Sequence, residues 1–161
     1  ALSSDLITIA RQLAHVHQRR PRQVDLRRSI SKSYYALFHG LAELAAGRLV
    51  GSTSAAQKSA AWSRVYRDLN HLTAKKACSR PELQGCSQEL ARFLMAFPTL
   101  QELRHQADYD PIVRFKQGEA LSAADDAERA LTGLQTAPRD KHLISSPSPS
   151  ADAQLMDSTA P

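Results

Sequence analysis

The stretch Arg28-Ser29-Ile30-Ser31-Lys32-Ser33-Tyr34-Tyr35-Ala36-Leu37-Phe38-His39 decides how this chain is read. On a wheel of about 100° per residue, Arg28, Ser31, Tyr35 and His39 fall within about 80° of one another. Ile30, Leu37, Leu41 and Leu44 fall on the opposite side. The segment therefore predicts a helix with an apolar face for a core and a second face of guanidinium, hydroxyl, phenol and imidazole groups. Ala42 and Ala46 continue that second face and leave room for another helix to approach it. Asp25 is placed to cap the helix and Gly47 to close it, giving a span of residues 26–46.

Helical periodicity continues on both sides. Residues 4–17 carry Leu6, Ile9, Leu13 and Val16 at three- or four-residue spacing, which predicts an amphipathic helix. It ends in Arg19-Arg20-Pro21-Arg22, where Pro21 disfavours helix through the preceding residue. Residues 51–59, rich in Gly, Ser, Thr and Ala, read as a loop. A third helix is expected over 60–77 on Trp62, Val65, Tyr66, Leu69 and Leu72, with a break over 79–87 at Pro81 and Gly85. A fourth is expected over 88–109 on Leu90, Phe93, Leu94, Phe97, Leu100 and Leu103, kinked or divided by Pro98. Asp110-Pro111 stops it, and a short extended piece leads to a fifth helix over 118–135. The inward side of that helix is mostly alanine, at 120, 123, 124, 127 and 130, which allows close approach to a neighbour. No run alternates apolar and polar residues between hairpin turns.

The expected fold is thus an all-α bundle of four to five helices forming one domain over residues 1–136. Residues 137–161 hold no aromatic side chain and four of the eight prolines, mixed with serine. Such a composition cannot bury enough apolar surface to offset its ordering entropy, so a disordered tail is expected.

The formal charge is +5, with residues 1–136 holding 19 Lys and Arg against 13 Asp and Glu, while the remainder is slightly acidic. Excess positive charge on the folded part favours an anionic partner such as RNA, through phosphate neutralisation and counterion release. The longest weakly polar stretch, 34–46, is interrupted by His39 and Glu43 and falls short of the ~20 apolar residues of a membrane helix. Without that or a secretory signal pattern, a cytoplasmic protein that does not enter membranes is expected. Two cysteines, Cys78 and Cys86, make no disulfide framework of the secreted kind. With His71 they lack the spacing of a metal set, and no glycine-rich phosphate loop is present, so neither metal nor cofactor is expected.

A second stretch, Arg104-His105-Gln106-Ala107-Asp108-Tyr109, carries the other informative pattern. Arg104 and Asp108 continue the stripe of Leu90, Phe93, Phe97 and Leu100, so a charged pair stands where the pattern calls for apolar residues. Charge taken out of water needs a partner, and Asp108 is one turn from Arg104. Two readings stand side by side for each stretch. Tyr35 and His39 either line a hydrogen-bonded helix contact or form one wall of a site. Arg104 and Asp108 either make a salt bridge that fixes the helix end or hold a guanidinium toward a phosphate.

Together the two stretches resemble the HEPN family, short bundles of four or five helices found in prokaryotes, often beside a nucleotidyltransferase partner. The R-x-x-S-x-x-x-Y-A-x-F-H pattern of its second helix is carried by Arg28, Ser31, Tyr35, Ala36, Phe38 and His39. The R-x-x-A-D-Y pattern of its later helix is carried by Arg104, Ala107, Asp108 and Tyr109. The likeness runs from Leu6 to Leu134 and leaves out the tail. It implies a homodimer with a cleft near the subunit contact and a role linked to RNA in toxin–antitoxin, defence or stress systems. Many members are metal-independent ribonucleases using an Arg, four to six residues, then a His, the His as acid or base and the Arg on phosphate charge.

Here the sequence departs from that pattern. His105 follows Arg104 directly, and the position resembling the family's histidine falls near Ala107 and Asp108. Arg64 with His71, and Arg11 with His17, reproduce the spacing, as chance allows in a chain with this many arginines. The expected site therefore has Arg104 on phosphate and His39 as proton donor or acceptor, lined by Arg28, Ser31, Tyr35, Asp108 and Tyr109. The alternative expectation is a non-catalytic dimeric subunit whose polar face binds a nucleotidyltransferase-like partner.

Overall fold

A computed structural model describes residues 1–17, 19–79, 81 and 85–137. The tail expected to be disordered, apart from Ala137, lies outside them. Seven helices and no strand occur among the described residues: α1 (Leu2–His15), α2 (Gln23–Leu49), α3 (Ser54–Gln57), α4 (Ala60–Asp68), α5 (His71–Cys78), α6 (Gln88–Tyr109) and α7 (Gln117–Thr136). The four long ones, α1, α2, α6 and α7, form a bundle in which α2 touches the other three, while α4 lies on α2 and α5 on α6.

Helix α2 is more deeply set than a two-faced helix would be. Ile30 and Leu37 are fully buried as expected, but so are Ser29, Ser33, Tyr34, Ala36, Ala42 and Ala46. Ser29, Ser33, Ala36 and Gly40 form a third face of small residues at the three- and four-residue spacing of a helix. The Ser29 hydroxyl donates to the Ala10 carbonyl at 2.7 Å, which ties α1 to that face. Helix α1 is rotated accordingly. Its buried residues are Ser3, Leu6, Ile7, Ala10 and Ala14, whereas Ile9 and Val16, expected to face the core, are exposed. Small side chains on both helices bring the backbones together, and that close packing outweighs the larger but outward-facing aliphatics.

Other boundaries moved for local reasons. Asp25 does not cap α2, which starts at Gln23; its carboxylate instead accepts from the Arg22 side chain at 2.8 Å, and that contact, with neighbouring positive charge, keeps it ionised below the usual range. Gly47 stays helical, and the chain leaves α2 at Gly51, whose φ of 125° suits glycine. The expected third helix is two, because Asn70 takes extended backbone and its side chain accepts from the Thr73 amide at 2.9 Å, capping α5. Within the loop over 51–59, Thr53 caps the single turn α3. Pro98 does not divide α6, which runs through it.

The alanine face of α7 packs as expected, with Ala120, Ala123, Ala124, Ala127 and Ala130 all buried. One glycine of this helix lies directly against the backbone of another helix. A Cβ at Gly133 would lie 2.6 Å from the Glu89 carbonyl oxygen, a backbone atom at the start of α6. Glycine inside a helix ordinarily costs up to about 1 kcal/mol relative to alanine. At this position the sign reverses: Gly133→Ala is expected to destabilise by about 1–3 kcal/mol through overpacking. Chemical denaturation of the variant checks it, and a gain in stability would refute the contact.

Candidate functional site

The polar residues of α2 and α6 meet where α4 and α5 cover them. Arg104, on α6, has a side chain 14% exposed, well withdrawn from water. Its Nη1 donates to the Tyr35 hydroxyl at 3.2 Å, and its guanidinium carbon lies 5.3, 5.7 and 6.0 Å from the ring centres of Tyr34, Tyr35 and Tyr109. Three π faces thus cradle the cation. Asp108 Oδ2 is 3.5 Å from Arg104 Nε, and the Ser31 hydroxyl donates to the other carboxylate oxygen, Oδ1. The ion pair does not satisfy Nε, which is buried with no hydrogen-bond partner among the described residues.

Two imidazoles stand beside this cradle, each held by a phenol. His39 Nδ1 is hydrogen-bonded to Tyr66 Oη, with the two rings stacked 5.8 Å apart. His71 Nδ1 is hydrogen-bonded to Tyr34 Oη at 2.6 Å, with its ring 4.4 Å from Phe38 and 6.0 Å from Tyr35. Burial, then the Lys32 charge, holds His39 below the ordinary histidine range. Burial, then Arg104 and His39, does the same to His71. Burial pushes both phenols, Tyr34 and Tyr66, up, so they stay protonated near neutrality. Buried polar atoms without partners also occur on Trp62, which stacks on Tyr66 at 5.0 Å, and on Gln101, whose amide lies by the His71 carbonyl. Ser3 on α1 carries another such atom, but those of Arg104, Trp62 and Gln101 gather around this cluster and mark it as a place where polar partners are wanted.

Of the residues expected from sequence, Ser31, Tyr35, Asp108 and Tyr109 gather around Arg104, and His39 adjoins Tyr35 at 6.3 Å between rings. Arg28 does not join them; it is exposed on the first turns of α2, with its charge felt at Asp25. Arg64 is exposed on α4, away from any contact with His71. Arg11 and His17 have separate partners: Arg11 binds Asp125 and Glu128 at 2.7 and 2.6 Å, while His17 lies 3.9 Å from Asp25. His71, considered from sequence only as a metal ligand or half of a chance pair, was missed as a member of this cluster. So were Tyr34, Tyr66, Trp62 and Gln101. Only the aromatic residues of α4 gave a signal, and their stripe read as core. No group of three His, Cys, Asp or Glu side chains converges among the described residues, and both cysteines are free thiols. No described helix is long and apolar enough to cross a membrane.

Fold and site together define an all-α bundle in which a guanidinium largely withdrawn from water lies against three phenol rings, two of which also border His71 and His39. No family model, no curated protein and no solved structure matches the chain.

The imidazoles give the cluster a pH response. Their folded values lie below 6.5, so between that value and the lowered ones the unfolded chain binds protons that the folded rings refuse. Stability is full above this window and falls as pH drops through it. The melting temperature should therefore decline between about pH 7.5 and 5.5, and decline less in His39→Gln and His71→Gln. Glu43, raised by burial, acts in the opposite sense, so the difference between variants and wild type isolates the imidazoles. Equal declines in all three proteins would refute the assignment.

Proposed function

We propose that this chain is a HEPN-type helical module that binds RNA and cuts it, in a toxin–antitoxin or defence setting, with Arg104 on the phosphate and His39 in proton transfer. The supporting observation is the Arg104 guanidinium, withdrawn from water, cradled by aromatic rings, and carrying a donor with no partner. A planar donor fork in a place of low dielectric is suited to a phosphodiester, and imidazoles close by are suited to moving protons near pH 7. Tyr109, 67% exposed and 5.1 Å from the His105 ring, offers an aromatic platform for an unpaired base beside the guanidinium. The net positive charge of residues 1–136 would draw the strand in.

The test is a set of single-stranded RNA oligonucleotides incubated with purified protein in chelator. Cleavage, and binding that weakens steeply between about 50 and 200 mM salt, is the expected result. RNA left uncut and unbound at low salt rejects the reading.

A second reading is favoured by α1. Leu2, Ile9 and Val16 are 47%, 41% and 52% exposed, on a helix face left uncovered by the bundle. Their seven-residue spacing is that of a helix-pairing seam, which suits a subunit of a homodimer or of a complex with a nucleotidyltransferase-like protein. Sedimentation of Ile9→Lys against wild type would show whether that face holds an assembly together.

A further inference from the structure

Two imidazoles brought by different helices, His39 on α2 and His71 on α5, border Tyr35, whose ring centre also lies 5.7 Å from the Arg104 guanidinium carbon. Both are half-buried, and both have Nδ1 engaged by a phenol, Tyr66 for His39 and Tyr34 for His71. Neither Nε2 has a hydrogen-bond partner among the described residues, and neither is sealed off as a buried unpartnered atom. Each ring is thus fixed at one nitrogen and open at the other. Tyr34 also joins His71 to the cation, its ring 5.5 Å from the imidazole and 5.3 Å from the guanidinium carbon. An acid and a base on either side of a phosphate need this kind of pair.

We propose that His71 is a second proton-transfer residue of this site, taking the 2′-hydroxyl proton of an RNA held on Arg104 while His39 protonates the departing 5′-oxygen. The proposal rests on the RNA-cleavage reading above and adds a residue and a role to it. In the tautomer whose Nδ1–H donates to the Tyr34 oxygen, the lone pair of Nε2 is free to act as base. His71 shares the Tyr34 ring with Arg104, whereas His39 is bonded to Tyr66 on α4, and that placement assigns His71 to the role. Nε2 takes the proton, and the 2′-oxygen forms a bond to phosphorus. The bond from phosphorus to the 5′-oxygen breaks with its electron pair on that oxygen, which takes a proton from the His39 imidazolium. The products are a 2′,3′-cyclic phosphate and a 5′-hydroxyl. His71 is left protonated and His39 neutral, and proton exchange with water resets both.

The test compares a short single-stranded RNA with the same RNA carrying sulfur in place of one 5′-bridging oxygen, since a thiolate departs without being protonated. His71→Gln is expected to slow cleavage of both RNAs by about 10²–10⁴-fold, whereas His39→Gln slows the oxygen RNA to that degree and the sulfur RNA by less than about tenfold. Tyr34→Phe keeps the ring packing and removes the oxygen that supports protonated His71. It should cost about tenfold and move the acidic limb of the kcat/KM profile to lower pH. That variant also answers the question if His71→Gln fails to give a native circular dichroism spectrum. Activity of His71→Gln within about threefold of wild type, rescue of His71→Gln by sulfur, or an unmoved acidic limb in Tyr34→Phe overturns the role of His71 while leaving the RNA reading standing. Wild-type protein that cleaves neither RNA overturns the RNA reading itself.

Discussion

Replacing Arg104 by alanine is expected to abolish RNA cleavage, by about 10²–10³-fold or more, while leaving a folded protein. The size follows from what a preorganised cationic donor contributes when charge develops on a phosphate in a place poor in water. Arg104 gives up one hydrogen bond to Tyr35, a spaced ion pair with Asp108 and its stacking within three phenol rings. Asp108 keeps the Ser31 hydroxyl and a partly exposed position, so no charge is stranded in the core. Those terms together come to about 2–4 kcal/mol, which a typical domain stability of about 5–15 kcal/mol can absorb. The check is cleavage rate and circular dichroism on the same preparation. Unfolding of the variant would make the arginine architectural, and undiminished cleavage by a folded variant would remove it from the site.

Phe97→Ala should give the largest loss of stability, about 3–5 kcal/mol. Phe97 is fully buried, with ring centres 5.5 Å from Tyr34 and 5.7 Å from Phe93, at the junction of α6 with α2. Its removal opens a cavity directly behind Tyr34. Tyr34 faces both Arg104 and His71, so the same substitution should loosen the site as well as the core. Urea denaturation gives the first effect, with an unchanged slope expected for a cavity that leaves the fold intact. A loss under about 1 kcal/mol would mean the bundle closes over the gap.

Much of the bundle was legible as spacing. The apolar stripes of α6 and the alanines of α7 repeat at helical intervals, and their burial follows directly. Arg104 and Asp108 were legible as a breach of such a stripe; Arg104 is withdrawn from water, whereas Asp108, at the helix end, stays partly exposed. What was not legible depends on small residues and on partners far along the chain. Large aliphatics at 9 and 16 out-signalled Ser3 and Ala10 on α1, yet it is the small side chains that permit the backbones to approach. The break at Asn70 carried no proline or glycine to announce it.

By itself the sequence determined that the described chain is helical, where the long helices lie within a few residues, and that a guanidinium stands on an inward stripe. Tertiary structure alone decided which imidazoles join it. Their partners, Tyr66 for His39 and Tyr34 for His71, lie 27 and 37 positions away, on helices whose angle and rotation no local period records. Periodicity fixes a side chain's direction relative to its own helix axis. Only the packing of one helix on another fixes which groups meet.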